Sequence, residues 1–132
     1  MKLLLDTHSF LWAAGRQQFA LLPQATKDVL EDGTNTLLLS VASIWELAIK
    51  ASLGKLQLSE SVADLVRFQQ ANSGIQLLPI TLTHIELVET LPFHHKDPFD
   101  RLLIAQAQAE NLTIVSIDAA FDPYGVKRLW LT

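Results

Sequence analysis

Five acidic residues stand where ordinary surface charge explains them poorly: Asp6, Glu46, Asp97, Asp100 and Asp118. Asp6 closes the apolar run Leu3-Leu4-Leu5, and Asp118 closes Leu112-Thr113-Ile114-Val115-Ser116-Ile117. In open α/β sheets, ligands sit in the crevice outside the carboxyl ends of the strands, so a carboxylate ending a buried strand is placed at that crevice. Glu46 interrupts Ser43-Ile44-Trp45-Glu46-Leu47-Ala48-Ile49, where a charge is costly without a partner or a cation. Asp97 and Asp100 flank Pro98-Phe99 at the opening of a helical pattern. Taken singly, each has a plain structural explanation. Asp6 and Asp97 suit helix N-caps, Ser43-x-x-Glu46 has capping-box spacing with Lys50 at i+4 for an ion pair, Asp100 in a first turn is favoured by the helix dipole, and Asp118 can cap a turn. Taken together they suggest more, because an economical α/β arrangement puts all of them at one end of the sheet. Carboxylates crowded within a few ångströms repel and need compensation. Mg²⁺ or Mn²⁺ supplies it, preferring carboxylate oxygens and commonly bridging to substrate phosphates. Such a centre suits phosphodiester hydrolysis, by activating a water for in-line attack and stabilising the leaving oxygen.

The elements that must position these groups follow from the pattern of apolar runs and breakers. Lys2 to Leu5 reads as a strand buried on both faces, and Ser9 to Ala14 as a short helix ended by Gly15. A helix is expected over Pro23–Glu31, with Pro23 in its first turn and Asp32-Gly33 closing it. Leu37 to Ser40 is a second strand, followed by a helix capped by Ser40 or Ser43 and ended by Gly54. The spacing predicts a helix over Leu58–Ser73, a short strand over Ile75–Ile80 broken by Pro79, and a helix opened by Thr83-x-x-Glu86 at capping-box spacing. Pro92 to Pro98 is a loop, Pro98 to Asn111 a helix, Leu112 to Asp118 the fourth strand, and Lys127 to Leu131 a fifth at an edge. Strands alternating with helices favour a three-layer α/β/α sandwich around a mainly parallel sheet of about five strands. If the first and fourth strands flank the point where strand order reverses, Asp6 and Asp118 face one crevice.

Composition narrows the classes further. A chain of 132 residues, 49% hydrophobic and 18% charged, is expected to form one domain with a real core. No apolar segment is long enough to span a membrane and no secretory pattern opens the chain, so a cytoplasmic setting is the expectation. The absence of cysteine excludes disulfides, zinc–thiolate sites and cysteine nucleophiles, and His8, His84, His94 and His95 lack zinc spacing. The net charge of −4 argues against a broad basic surface for nucleic acid. It does not argue against a nuclease whose cation turns an acidic cluster into a phosphate site. The remaining carboxylates, such as Asp28, Asp64 and Glu89, read as solvated or dipole-favoured helix charges.

Four stretches carry a resemblance: Leu4-Leu5-Asp6-Thr7-His8; Val41 to Lys50 with Leu53-Gly54-Lys55-Leu56; Phe93 to Ala107 around Asp97-Pro98-Phe99-Asp100-Arg101; and Val115-Ser116-Ile117-Asp118. In order and spacing they resemble the PIN-domain proteins, and more narrowly the VapC-like ribonuclease toxins of bacterial toxin–antitoxin pairs. The resemblance implies a Mg²⁺- or Mn²⁺-dependent endoribonuclease, usually a homodimer, inhibited by a cognate antitoxin. It places Asp6, Glu46 and Asp118 on the family's acidic positions and leaves the third aspartate open between Asp97 and Asp100. Thr7 and Ser116 stand beside ligands, where hydroxyls can orient a ligand or a phosphate. Arg101, Lys96 and Lys50 are candidates for phosphate contact. His94 and His95 invite an acid–base reading beside that of a solvated loop pair, and the three tryptophans are read as core or dimer residues. Two other readings compete: a catalytically silent PIN-like module that binds RNA or protein, and a small-molecule phosphohydrolase, for which no Asp-x-Asp pair or glycine-rich phosphate loop is present.

Overall fold

The computed structural model describes residues 1–15 and 22–132. Its frame is a five-stranded sheet of β1 (Lys2–Leu5), β2 (Thr36–Ser40), β3 (Gln76–Leu78), β4 (Thr113–Val115) and β5 (Lys127–Leu129), in the order β3-β2-β1-β4-β5. Every neighbouring pair is parallel. Parallel sheets are covered on both faces, and the leucines of β1 show why this strand takes the centre. Side chains alternate along a strand, so Leu3 and Leu5 join one apolar cluster with Leu39 and Val115, while Leu4 joins the other with Leu38 and Ile114. Leu3, Leu4 and Leu5 are essentially solvent-free, and each such burial is worth roughly 1.5–3 kcal/mol.

Helices α1 (Thr7–Ala13), α2 (Gln24–Glu31), α3 (Val41–Ser52) and α4 (Val62–Ser73) cover the first face, through Phe10, Leu30, Leu47 and Leu65 among others. Helices α5 (Leu82–Thr90) and α6 (Pro98–Glu110), with a 3-10 helix over Ala119–Tyr124, cover the second through Val88, Leu103, Ile104 and Phe121. The three-layer α/β/α sandwich expected from the alternation of elements is the observed architecture.

Several boundaries move, each for a local reason. The helix expected from Leu58 starts only at Val62, because Ser61 is the N-cap and its hydroxyl accepts from Asp64 N at 3.1 Å. Gly74 ends that helix in the left-handed region at φ 67°, which glycine enters without steric cost. Ser40, not Ser43, caps α3, accepting from Ala42 N, so the Ser43–Glu46 capping box does not form. The box at the start of α5 is built from Thr81 and His84 rather than Thr83 and Glu86. There the histidine ring performs the carboxylate's usual task, its Nδ1 accepting from Thr81 N at 3.1 Å. Pro23 is the N-cap of α2, one position ahead of its expected place. The edge strands are shorter than expected. Beyond Leu129 the chain turns to Thr26, whose hydroxyl donates to Leu131 O at 2.7 Å and accepts from Leu131 N at 2.9 Å.

From β1 the chain builds outward to β2 and β3, then crosses back to lay β4 on the other side of β1. The order therefore reverses between β1 and β4. Among the described residues, no helix is long and apolar enough to cross a membrane.

Candidate metal centre

Asp6 leaves β1 at this reversal. Its backbone N donates to Val115 O of β4 at 3.2 Å, and its Oδ1 accepts from Ser9 N at 2.9 Å as the N-cap of α1. Ser9 Oγ donates to the same Val115 carbonyl at 2.9 Å, which joins the mouths of the two strands. Asp6 is buried. The cap accounts for one carboxylate oxygen, so capping and a role at the crevice are compatible.

Thr7 and Glu46 extend the group. Thr7 is buried, and its hydroxyl donates to Glu46 Oε1 at 2.5 Å across α1 and α3. Glu46 Oε2 lies 3.4 Å from Lys50 Nζ. Glu46 thus has the i+4 partner anticipated from sequence, and also a tie to the residue beside Asp6 that no local pattern encodes. Three residues before it, Ser43 is buried, and its hydroxyl has no hydrogen-bond partner among the described residues.

Asp97 and Asp100 separate in role. Asp97 is the N-cap of α6, its Oδ1 accepting from Phe99 N at 2.8 Å and Asp100 N at 3.1 Å. Asp100 Oδ2 lies 2.7 Å from His95 Nε2. Burial pushes the Asp100 carboxyl up to about 6; the nearby charges of Asp97 and Asp6 add to the rise, and the hydrogen bond from His95 opposes it. A carboxyl raised by burial and like charge marks a crowded acidic site.

Asp118 is exposed at the far side. Its Oδ1 accepts from Ala120 N at 2.9 Å, and its backbone N donates to Ser116 Oγ at 2.9 Å. Ser116 is buried, so its hydroxyl orients the turn carrying Asp118. Ligand atoms of His95, Asp100 and Asp118 all lie within 4.8 Å of one another. The donor set is oxygen-rich with one imidazole, which fits a small divalent cation.

Arg101 departs from expectation. It is buried, and its guanidinium donates to the carbonyls of Pro92 at 2.9 Å, Leu91 at 3.2 Å, Val88 at 3.3 Å and His95 at 3.4 Å. It also donates to Tyr124 Oη at 3.3 Å and lies 4.0 Å over the Phe93 ring. Its Nη1 and Nη2 donors serve the end of α5 and the loop that follows, which gives Arg101 a structural role beside the phosphate contact expected from sequence. Lys50 keeps a partly exposed ammonium beside Glu46. Tyr124 completes the loop's anchorage, its hydroxyl accepting from His94 N at 3.0 Å and His95 N at 2.8 Å. No sequence signal pointed to Tyr124, whose hydroxyl finds its partners at His94, His95 and Arg101, more than twenty residues away. Of the tryptophans, Trp12 and Trp130 pack together at 5.7 Å, whereas Trp45 is 61% exposed and so is not a core residue.

The PIN domain family model matches residues 3–127. Among curated proteins no match to the sequence is found. Among solved structures, a chain of VapBC2 from Rickettsia felis bound to a DNA fragment from their promoter aligns at TM-score 0.72 and 16% identity, over 99% of this chain and 100% of that one. A chain of FitAcB from Neisseria gonorrhoeae aligns at TM-score 0.63 and 20% identity, over 96% of each. A chain of VapBC-1 from nontypeable Haemophilus influenzae aligns at TM-score 0.56 and 15% identity, over 98% of this chain and 97% of that one. At these identities the structural likeness is one of fold, and it is the family model, matched from the first strand to the last, that carries the assignment: the chain belongs to the PIN-domain family.

Proposed function

We propose that this chain is a Mg²⁺- or Mn²⁺-dependent endoribonuclease, one PIN-like domain over residues 1–132, acting as the toxin of a toxin–antitoxin pair. The observation that carries the reading is the convergence of acidic groups from separate elements at the reversal of strand order. Asp6 follows β1 and Asp100 opens α6, and the charge of Asp6 contributes to the raised Asp100 carboxyl. Asp118 follows β4, within reach of Asp100. A module that merely binds RNA or protein gains nothing from carboxylates that repel one another.

In this reading Asp6, Glu46, Asp100 and Asp118 hold the cation, and Asp97 serves it indirectly by fixing the first turn of α6. The choice of Asp100 over Asp97 is supported by the Asp100 carboxylate lying within 4.8 Å of ligand atoms of His95 and Asp118. When bound, the divalent cation lowers the pKa of a water and stabilises charge on the leaving oxygen. Thr7 fixes the rotamer of Glu46 through its hydroxyl, Ser116 fixes the turn that presents Asp118, and Lys50 is placed to meet a phosphate that displaces it from Glu46. The likeness in fold to chains of VapBC2, FitAcB and VapBC-1 supports a cognate antitoxin as partner; the assembly we propose is a homodimer and the setting the cytoplasm.

The test is cleavage of a defined single-stranded RNA by the purified chain with Mg²⁺ or Mn²⁺, against EDTA and against Asp6→Asn. Asparagine retains the α1 cap, so the variant should keep its melting temperature while losing at least a hundredfold in cleavage rate, on the order expected when a metal ligand is removed. Cleavage that persists in EDTA, or undiminished in Asp6→Asn, would sink the assignment. Growth arrest on expression, relieved by co-expression of the neighbouring reading frame, tests the toxin role separately.

A further inference from the structure

We propose that His95 is a nitrogen ligand of the divalent-cation centre, making it a mixed imidazole–carboxylate site rather than an all-oxygen one. The proposal rests on the metal-dependent reading above and adds a residue to it. Its first support is spacing. Two ligand atoms on one cation with bonds of about 2.1 Å are roughly 3 Å apart when adjacent and about 4 Å apart when opposite. His95 Nε2 is 2.7 Å from Asp100 Oδ2, and ligand atoms of His95, Asp100 and Asp118 fall within 4.8 Å of one another. The 4.8 Å limit is somewhat wider than an opposite pair, so the exposed Asp118 side chain must draw in; a cation on Asp100 then also reaches the imidazole, replacing the hydrogen bond that now joins His95 to Asp100.

The second support is how the backbone of His95 is held. Its N–H donates to Tyr124 Oη and its carbonyl accepts from Arg101 Nη1. Arg101 is one residue beyond Asp100 on α6, and Tyr124 closes the 3-10 helix that Asp118 opens. One pair of side chains thus fixes the histidine relative to both carboxylates, and a ligand so fixed loses little further freedom on binding. The neighbouring loop histidine is used differently: the His94 ring packs edge-on against Tyr124, with centroids 5.1 Å apart. His84 is wholly buried against Thr81, Gln106 and Glu110, and His8 lies against Trp12. Among the described residues His95 is the histidine that faces the acidic group.

An imidazole ligand favours later first-row divalent metals, so the site should prefer Mn²⁺ over Mg²⁺ more strongly than a purely carboxylate site does. The experiment is titration of the full chain with Mn²⁺ and Mg²⁺ by calorimetry, with pulsed EPR of the Mn²⁺ form, on the parent, His95→Asn and His95→Gln. The parent should show the nitrogen modulation of a bound imidazole and both variants should lack it. Mn²⁺ affinity should fall roughly tenfold or more, and Mg²⁺ affinity by less, narrowing the ratio. A residue that only orients Asp100 would not produce the nitrogen signal. Mn²⁺ bound by the parent without that signal, or a signal surviving in both variants, overturns the proposal and leaves the nuclease reading standing. No Mn²⁺ binding by the parent, with or without RNA, removes the nuclease reading and this proposal with it.

Discussion

The ring of Trp45 on α3 meets the ring of Phe99 on α6 edge-on, with centroids 5.3 Å apart and planes inclined at 71°. Each aromatic residue immediately precedes a carboxylate of the candidate centre, Glu46 in one case and Asp100 in the other. The contact therefore fixes the spacing of two helices at the point where both present acidic groups. Such ring pairs contribute about 0.5–1.5 kcal/mol beyond the area they bury. Phe99→Ala should lower stability by roughly 3 kcal/mol, since it removes a partly buried ring as well as the pair. It should also weaken Mn²⁺ binding, although no donor atom is lost. Calorimetric affinity, compared with that of Phe99→Leu, checks this: unchanged affinity in the alanine variant would mean that the helices hold Glu46 and Asp100 in place without the rings.

Arg101 gives a prediction that separates scaffold from substrate contact. Its guanidinium satisfies carbonyls at Val88, Leu91, Pro92 and His95, and each buried acceptor left unpaired costs about 1–3 kcal/mol. Arg101→Met should therefore destabilise the fold by roughly 3–5 kcal/mol in urea denaturation, with losses limited where water reaches the carbonyls. Arg101→Lys should recover only a minor part, because an ammonium cannot span the same acceptors. A phosphate-binding arginine would give the opposite pattern, with RNA affinity lost and stability kept.

The frame of the molecule was legible because its signals are local and periodic. Leu3-Leu4-Leu5 is apolar on both faces and became the central strand, and the carboxylates ending β1 and β4 came to the reversal of strand order. The chemistry was less legible where it depends on partners far apart in the chain. Nothing near Glu46 predicts its hydrogen bond from Thr7, and nothing near His95 predicts that Tyr124 and Arg101 hold its backbone. The structural role of Arg101 was not legible for a physical reason: an arginine beside an aspartate in sequence suggests phosphate, whereas the carbonyls it serves at Val88, Leu91 and Pro92 are identified only by the folded loop. The same limit applied to capping, where Ser40 and Thr81 took positions for which Ser43 and Thr83 had equally good local chemistry.

Asp100 supplies a pH dependence whose sign follows from its surroundings. Burial raises its carboxyl from 3.8 to about 6, with Asp97 and Asp6 adding to the rise and His95 opposing it. In metal-free protein the native state therefore holds a proton that the unfolded chain has already released over that interval. Stability contributed by this group is present at low pH and declines as pH rises through the interval, reaching its least value above about 6. Asp100→Asn removes the titration and can still accept from His95, so in EDTA the variant should be the more stable protein near neutral pH, with the difference closing as pH falls towards 4. Saturating Mn²⁺ should reverse the ranking, because a cation that binds only the folded state stabilises the parent more than a variant lacking one ligand oxygen's charge. Thermal melts of the two proteins over this range, with EDTA or with Mn²⁺, give the comparison as a difference in which titration of the shared carboxylates largely cancels. A parent that is the more stable protein in EDTA at neutral pH would show that the His95 hydrogen bond outweighs burial and the charges of Asp6 and Asp97.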